Sequence, residues 1–139
     1  MRKIAYVQPE MRVSVANADG SDMQALNVPG AFQTWPVWSP DGENILFSSF
    51  STGSNGHGRI GLYLHNLQAG AARLIYENES GTDAIARRTP HYALWSPDRS
   101  RLALVARTWS NGLTLLMIDP VEGADTRRIV NGMPLFVSW

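Results

Sequence analysis

Three histidines, His57, His65 and His91, are the side chains of this sequence best suited to chemistry. Imidazole carries protons near neutral pH and ligates divalent metals. His65 lies in an alternating strand-like run and His91 just before one, where a histidine reads most simply as packed. His57 sits in the glycine-rich stretch Ser51-Thr52-Gly53-Ser54-Asn55-Gly56-His57-Gly58. No Gly-Lys-Ser/Thr follows, so this is no phosphate cradle and reads as a hairpin tip. Glu77-Asn78-Glu79-Ser80-Gly81-Thr82-Asp83 concentrates carboxylates ahead of Arg87-Arg88. It lacks the Asp-x-Asp-x-Asp-Gly spacing of a calcium loop and reads as a solvated loop with local ion pairs. No G-x-S-x-G elbow, H-E-x-x-H pair, Walker motif or Rossmann fingerprint occurs. The reading therefore assigns no catalytic residue, no metal ligand and no cofactor site.

Whatever these residues do, a repeat must position them. Residues 36–47 read P-V-W-S-P-D-G-E-N-I-L-F, and 92–105 read Y-A-L-W-S-P-D-R-S-R-L-A-L-V. Setting Trp38 on Trp95 superposes Ser39, Pro40 and Asp41 on Ser96, Pro97 and Asp98. An apolar run follows each motif, and a further copy starts at Leu135 and reaches Trp139. A second shared block appears as Val13–Asn17, Leu62–Asn66 and Leu115–Asp119. Each block leads through a polar turn to another short strand, within Met23–Leu26, Ala72–Tyr76 and Thr126–Val130. The unit is thus four short strands, with Pro-Asp-Gly supplying the tight turn after the first. Arg99 stands where the first copy has Gly42, which predicts a different turn there. Trp95 follows Trp38 by 57 residues and Trp139 follows Trp95 by 44, a length that suits propeller blades. The three tryptophans at this position read as packing between blades, whereas Trp35 and Trp109 lie off the register, and one of them is a candidate to line a binding surface. The strongest helix candidate is a single turn near Thr82–Arg88.

Composition agrees with a globular chain: 139 residues, 44% hydrophobic and 17% charged. Twelve basic and 12 acidic residues leave zero net charge, so nothing draws the chain to nucleic acid or to an anionic membrane. With no cysteine, disulfides and thiolate metal sites are excluded. Met1–Val7 is too short for the apolar core of a signal peptide. No apolar run is long enough to insert in a bilayer.

W-S-P-D-G followed by an apolar strand, with the block Val13-Ser14-Val15-Ala16-Asn17-Ala18-Asp19-Gly20-Ser21, resembles the WD40-like repeat of TolB-like β-propellers. The resemblance covers nearly the whole chain. It implies an all-β fold, a propeller segment of about three four-stranded blades within a six- or seven-bladed ring. It also implies a bacterial, periplasmic or extracytoplasmic, non-catalytic scaffold that binds a protein or ligand. Similar blades form the gating propeller of prolyl-oligopeptidase-like serine peptidases, a second expectation. A third is a metal-dependent lyase propeller, in which His57, His65 or His91 would hold the metal.

Strand counting divides the chain into strands two to four of a first blade (1–33), a second blade (34–88), a third (89–132) and the first strand of a further blade (133–139). Two arrangements follow. One is a piece of a longer protein. The other is a homodimer of two three-blade halves closing a six-bladed ring, each C-terminal strand completing the partner's first blade. The long connections Phe50–Gly58 and Glu77–Pro90 share one face, opposite the tight turns. Long loops on a rigid scaffold commonly carry function, so that face is the expected binding surface. Its candidate residues are His57, Arg59, Glu77, Glu79, Asp83, Arg87, Arg88 and Trp109, and its expected partner is a protein.

Overall fold

The computed structural model describes the backbone at residues 2–28, 30–52, 58–77, 88–108, 113–120 and 126–132, and side chains at 2–28, 30–52, 59–77, 92–105 and 115–120. Eleven strands follow one another along the chain. β1 (Lys3–Val7), β2 (Val13–Asn17) and β3 (Gln24–Ala25) form a first sheet. β4 (Phe32–Trp38), β5 (Asn44–Thr52), β6 (Gly58–Asn66) and β7 (Ala71–Glu77) form a second. β8 (Arg88–Trp95), β9 (Leu102–Thr108), β10 (Leu113–Ile118) and β11 (Thr126–Gly132) form a third. Every ladder is antiparallel between sequence neighbours. Each sheet is a meander, the form of a propeller blade. Among the described residues no helix occurs; of the Thr82–Arg88 candidate, Arg88 opens β8 and the remainder lies outside the described residues.

The middle strands are apolar on both faces because blades stack on both sides of them. In β5, Ile45 and Phe47 join Val13, Val15, Leu26 and Val28 of the first sheet in one buried layer, with Trp38, Tyr63, Leu67 and Ala72 against it. Leu46 points the other way. With Leu62, Leu64 and Ile75 it meets Ala93, Leu102, Leu104, Leu116 and Ile118 of the third sheet, with Val37, Tyr76 and Trp95 alongside. Trp38 and Trp95 thus each fill a layer between blades. Polar links cross the same layers. The Gln33 amide N–H donates to the Met11 carbonyl at 2.7 Å, and the Gln33 side-chain oxygen accepts from the Val13 N–H at 2.8 Å. Arg73 donates to the Pro120 carbonyl at 2.6 Å, tying the second sheet to the third.

β4 and β8, the first strands of the second and third sheets, carry bulges, one between Thr34 and Val37 and one between Pro90 and Tyr92. Proline cannot donate to a ladder, and Pro36 and Pro90 fall at these interruptions. In the first bulge Trp35 adopts φ 56° and is 54% exposed. The β5–β6 hairpin runs further than the loop read from the sequence. Ser51 pairs with Arg59 and Thr52 with Gly58, because polar side chains do not end a ladder whose backbone groups still find partners.

Candidate functional site

The tight-turn end is built by the repeated motif itself. Ser39 and Asn44 close the hairpin, with Ser39 N–H to Asn44 O at 2.9 Å and Gly42 N–H to Ser39 O at 2.9 Å. The Ser39 hydroxyl donates to Asp41 Oδ1 at 2.5 Å and accepts from the Asn44 N–H at 3.0 Å. Asp41 Oδ1 also accepts from the Glu43 N–H at 2.8 Å. The second copy repeats each contact. Ser96 Oγ donates to Asp98 Oδ1 at 2.6 Å and accepts from the Arg101 N–H at 2.9 Å, and Asp98 accepts from the Ser100 N–H at 3.0 Å. These donors favour the charged carboxylate. The Ser39 hydroxyl and the Glu43 N–H hold Asp41 below its ordinary value, and the Ser96 and Ser100 donors hold Asp98 at about 2. Pro40, Asp41, Pro97 and Asp98 are exposed while Ser39 and Ser96 are buried.

Arg99 does not change this turn. Its φ is 65° against 75° for Gly42, and the Arg99 N–H donates to Ser96 O at 2.9 Å as Gly42 does to Ser39. The serine–aspartate bonds hold the backbone in place, so a non-glycine residue takes the left-handed conformation at a local cost. The β2–β3 turn uses related bonds. Asp19 Oδ1 accepts from the Ser21 N–H and hydroxyl, and Gly20 sits at φ 86°.

At the opposite end β5, β7 and β9 finish, at Thr52, Glu77 and Thr108, and β6, β8 and β10 begin. Of the eight residues expected on this face, two have described side chains. Arg59 and Glu77 approach to 3.5 Å on neighbouring strands, both part-exposed. A part-exposed pair of this length adds little stability. The Arg88 backbone opens β8. His57, Glu79, Asp83, Arg87 and Trp109 lie outside the described residues, as does Trp139.

A cleft of about 300 Å³ lies between the first and second blades at the tight-turn end, a feature with no sequence motif of its own. Val15, Leu26, Leu67 and His65 form its floor, and Lys3, Asp22, Gln24 and Asn27 its rim. His65 is 4% exposed, and its Nδ1 is sealed away with no hydrogen-bond partner. Burial pulls its pKa below the ordinary value. Among the described residues, no three His, Asp or Glu side chains gather as a metal-ligand set.

Three sheets stacked through two apolar layers, the second and third each with a W-S-P-D turn after its first strand, define a β-propeller segment. Comparison with known proteins gives the same class. No model of a known protein family matches the chain. The Tol-Pal system protein TolB of Alcanivorax borkumensis is 33% identical over 93 residues, which is 67% of this chain and 19% of that protein. Among solved structures, TolB from Acinetobacter baumannii superposes with TM-score 0.66 at 21% identity, over 92% of this chain and 30% of that one. The putative TolB from Agrobacterium tumefaciens gives 0.65 at 14% identity, over 94% of this chain and 47% of that one. The dipeptidyl peptidase 4 of Porphyromonas gingivalis gives 0.63 at 13% identity, over 95% of this chain and 24% of that one. The chain belongs to the TolB-like β-propellers, and it spans 19% of the length of the curated relative it matches.

Proposed function

We propose that this chain is a non-catalytic propeller scaffold that binds a protein through the face bearing the β5–β6 and β7–β8 connections. One observation carries the reading. Two adjacent blades are held together by a buried apolar layer, serine–aspartate turns brace their hairpins at one end, and the strands that lead into the long connections finish at the other. A rigid platform with grouped loops is how scaffolds present recognition surfaces. The curated relative is named for the Tol-Pal system, so its components are the first partners to try. Replacing 78–87 by a short turn should abolish capture of the purified component that binds, while circular dichroism and melting stay unchanged. Undiminished capture by the folded variant places the interface elsewhere.

The likeness to the peptidase propeller supports a second reading, a blade set that gates a serine peptidase. A G-x-S-x-G elbow in a following α/β domain of the same gene would establish it; a gene encoding only further blades would remove it.

A further inference from the structure

The cleft around His65 is independent of the loop face and has the composition of a ligand site. Its volume lies at the lower end of the range for small-molecule pockets. The floor is apolar except for one imidazole. The rim supplies one ammonium, from Lys3, one carboxylate, from Asp22, and the amides of Gln24 and Asn27. Lys3 and Asp22 balance one another, so the cleft selects neither a simple anion nor a simple cation. Both charges also meet the Asn17 side chain. Lys3 Nζ reaches Asn17 Oδ1 at 3.4 Å, and one Asp22 oxygen accepts from Asn17 Nδ2 at 2.8 Å.

His65 sharpens the argument. A buried polar atom without a partner is uncommon and calls for an explanation. We take the neutral ring with its proton on Nε2, which leaves Nδ1 as the sealed lone pair. His65 lines the cleft, and in this tautomer Nε2–H is its side-chain donor. A ligand acceptor would meet that donor.

We propose that this inter-blade cleft binds a small zwitterion of the α-amino-acid type with a short aliphatic side chain. Its carboxylate would engage His65 Nε2–H and Lys3, its ammonium Asp22, and its side chain the surface of Val15, Leu26 and Leu67. Neither an amine nor a carboxylic acid alone satisfies both rim charges.

The test titrates the 139-residue chain with L-valine, isobutylamine and isovalerate, following the His65 ring signals by NMR and the heat by calorimetry. Valine should shift the His65 signals and bind in the millimolar range or tighter, about −4 kcal/mol or better. Each analogue should bind at least about tenfold more weakly. Asp22→Asn keeps the side-chain shape and Lys3→Gln alters an exposed position, so both variants should fold and each should lose about tenfold in valine affinity. Silent His65 signals at about 10 mM valine would overturn the proposal. So would analogues that bind as well as valine, or variants that bind it unchanged. Because the loop face is untouched, failure here leaves the scaffold reading standing.

Discussion

At the residue scale, the W-S-P-D motif divides its labour. Tryptophan fills the layer between blades, proline presets the turn, and serine and aspartate hold the turn's backbone donors. Ser39→Ala removes a buried hydroxyl bonded both to Asp41 and to the Asn44 N–H. It should cost about 1–2 kcal/mol in urea unfolding, and Ser96→Ala the same. Arg99→Gly relieves a left-handed backbone worth about 1–2 kcal/mol and adds about 0.5–1 kcal/mol of entropy cost. The variant should therefore melt slightly higher than the parent. His65 makes the residue scale pH-dependent. Burial lowers its folded-state pKa below 6.5, so the unfolded chain binds the proton more readily. Its contribution to stability is complete above pH 6.5, falls as the pH drops from there toward the folded pKa, and then levels off. Urea midpoints compared across this range should show a steeper acid loss in the parent than in His65→Gln.

At the element scale, the strands had to satisfy two neighbours at once. β5 faces both the first and the third blade, so its Ile45-Leu46-Phe47 run is apolar on both sides rather than alternating. The link from β3 to β4 is as demanding. Gly30 sits at φ 104°, and a Cβ there would come within 2.1 Å of Ser49 Oγ and 2.7 Å of Phe50 O. Ala31 N–H donates to that same Phe50 carbonyl at 2.8 Å. Gly30→Ala combines strain with overpacking and should destabilise by about 2 kcal/mol or more, measured by thermal and urea unfolding. Gly42→Ala, where a Cβ meets nothing within 4 Å, should lose only the backbone share. A similar loss at both positions would show that the Gly30 approach is not tight.

At the scale of the whole molecule, stability resides in the layers between blades more than within any one blade. Phe47 lies fully buried in the first layer and Leu104 in the second. Truncation to alanine should cost about 3–5 kcal/mol at Phe47 and about 2–5 kcal/mol at Leu104. Hydrogen exchange should report where the damage goes. Phe47→Ala should speed exchange chiefly in β2 and β5, and Leu104→Ala chiefly in β6, β9 and β10. Equal acceleration everywhere would mean that the blades unfold as one unit.

The sequence by itself determined the local rules. Superposing Trp38 on Trp95 located the turns, the four-strand unit and the meander order, because turn chemistry and period-two alternation act over a few residues. It also placed Ser39 and Ser96 inside the repeated motif, where each hydroxyl bonds within its own turn. It misjudged Arg99, where the hydrogen bonds of its neighbours outweigh the residue's own preference. Only the tertiary structure decided what faces what across the blades. The Arg59–Glu77 pair joins residues 18 positions apart, and the cleft gathers Lys3, Asp22 and His65 from two strands and a turn of two sheets. No periodicity announces such a meeting. A side chain's neighbours across a blade interface are set by how two twisted sheets stack, a property of the packed molecule rather than of any short run of residues.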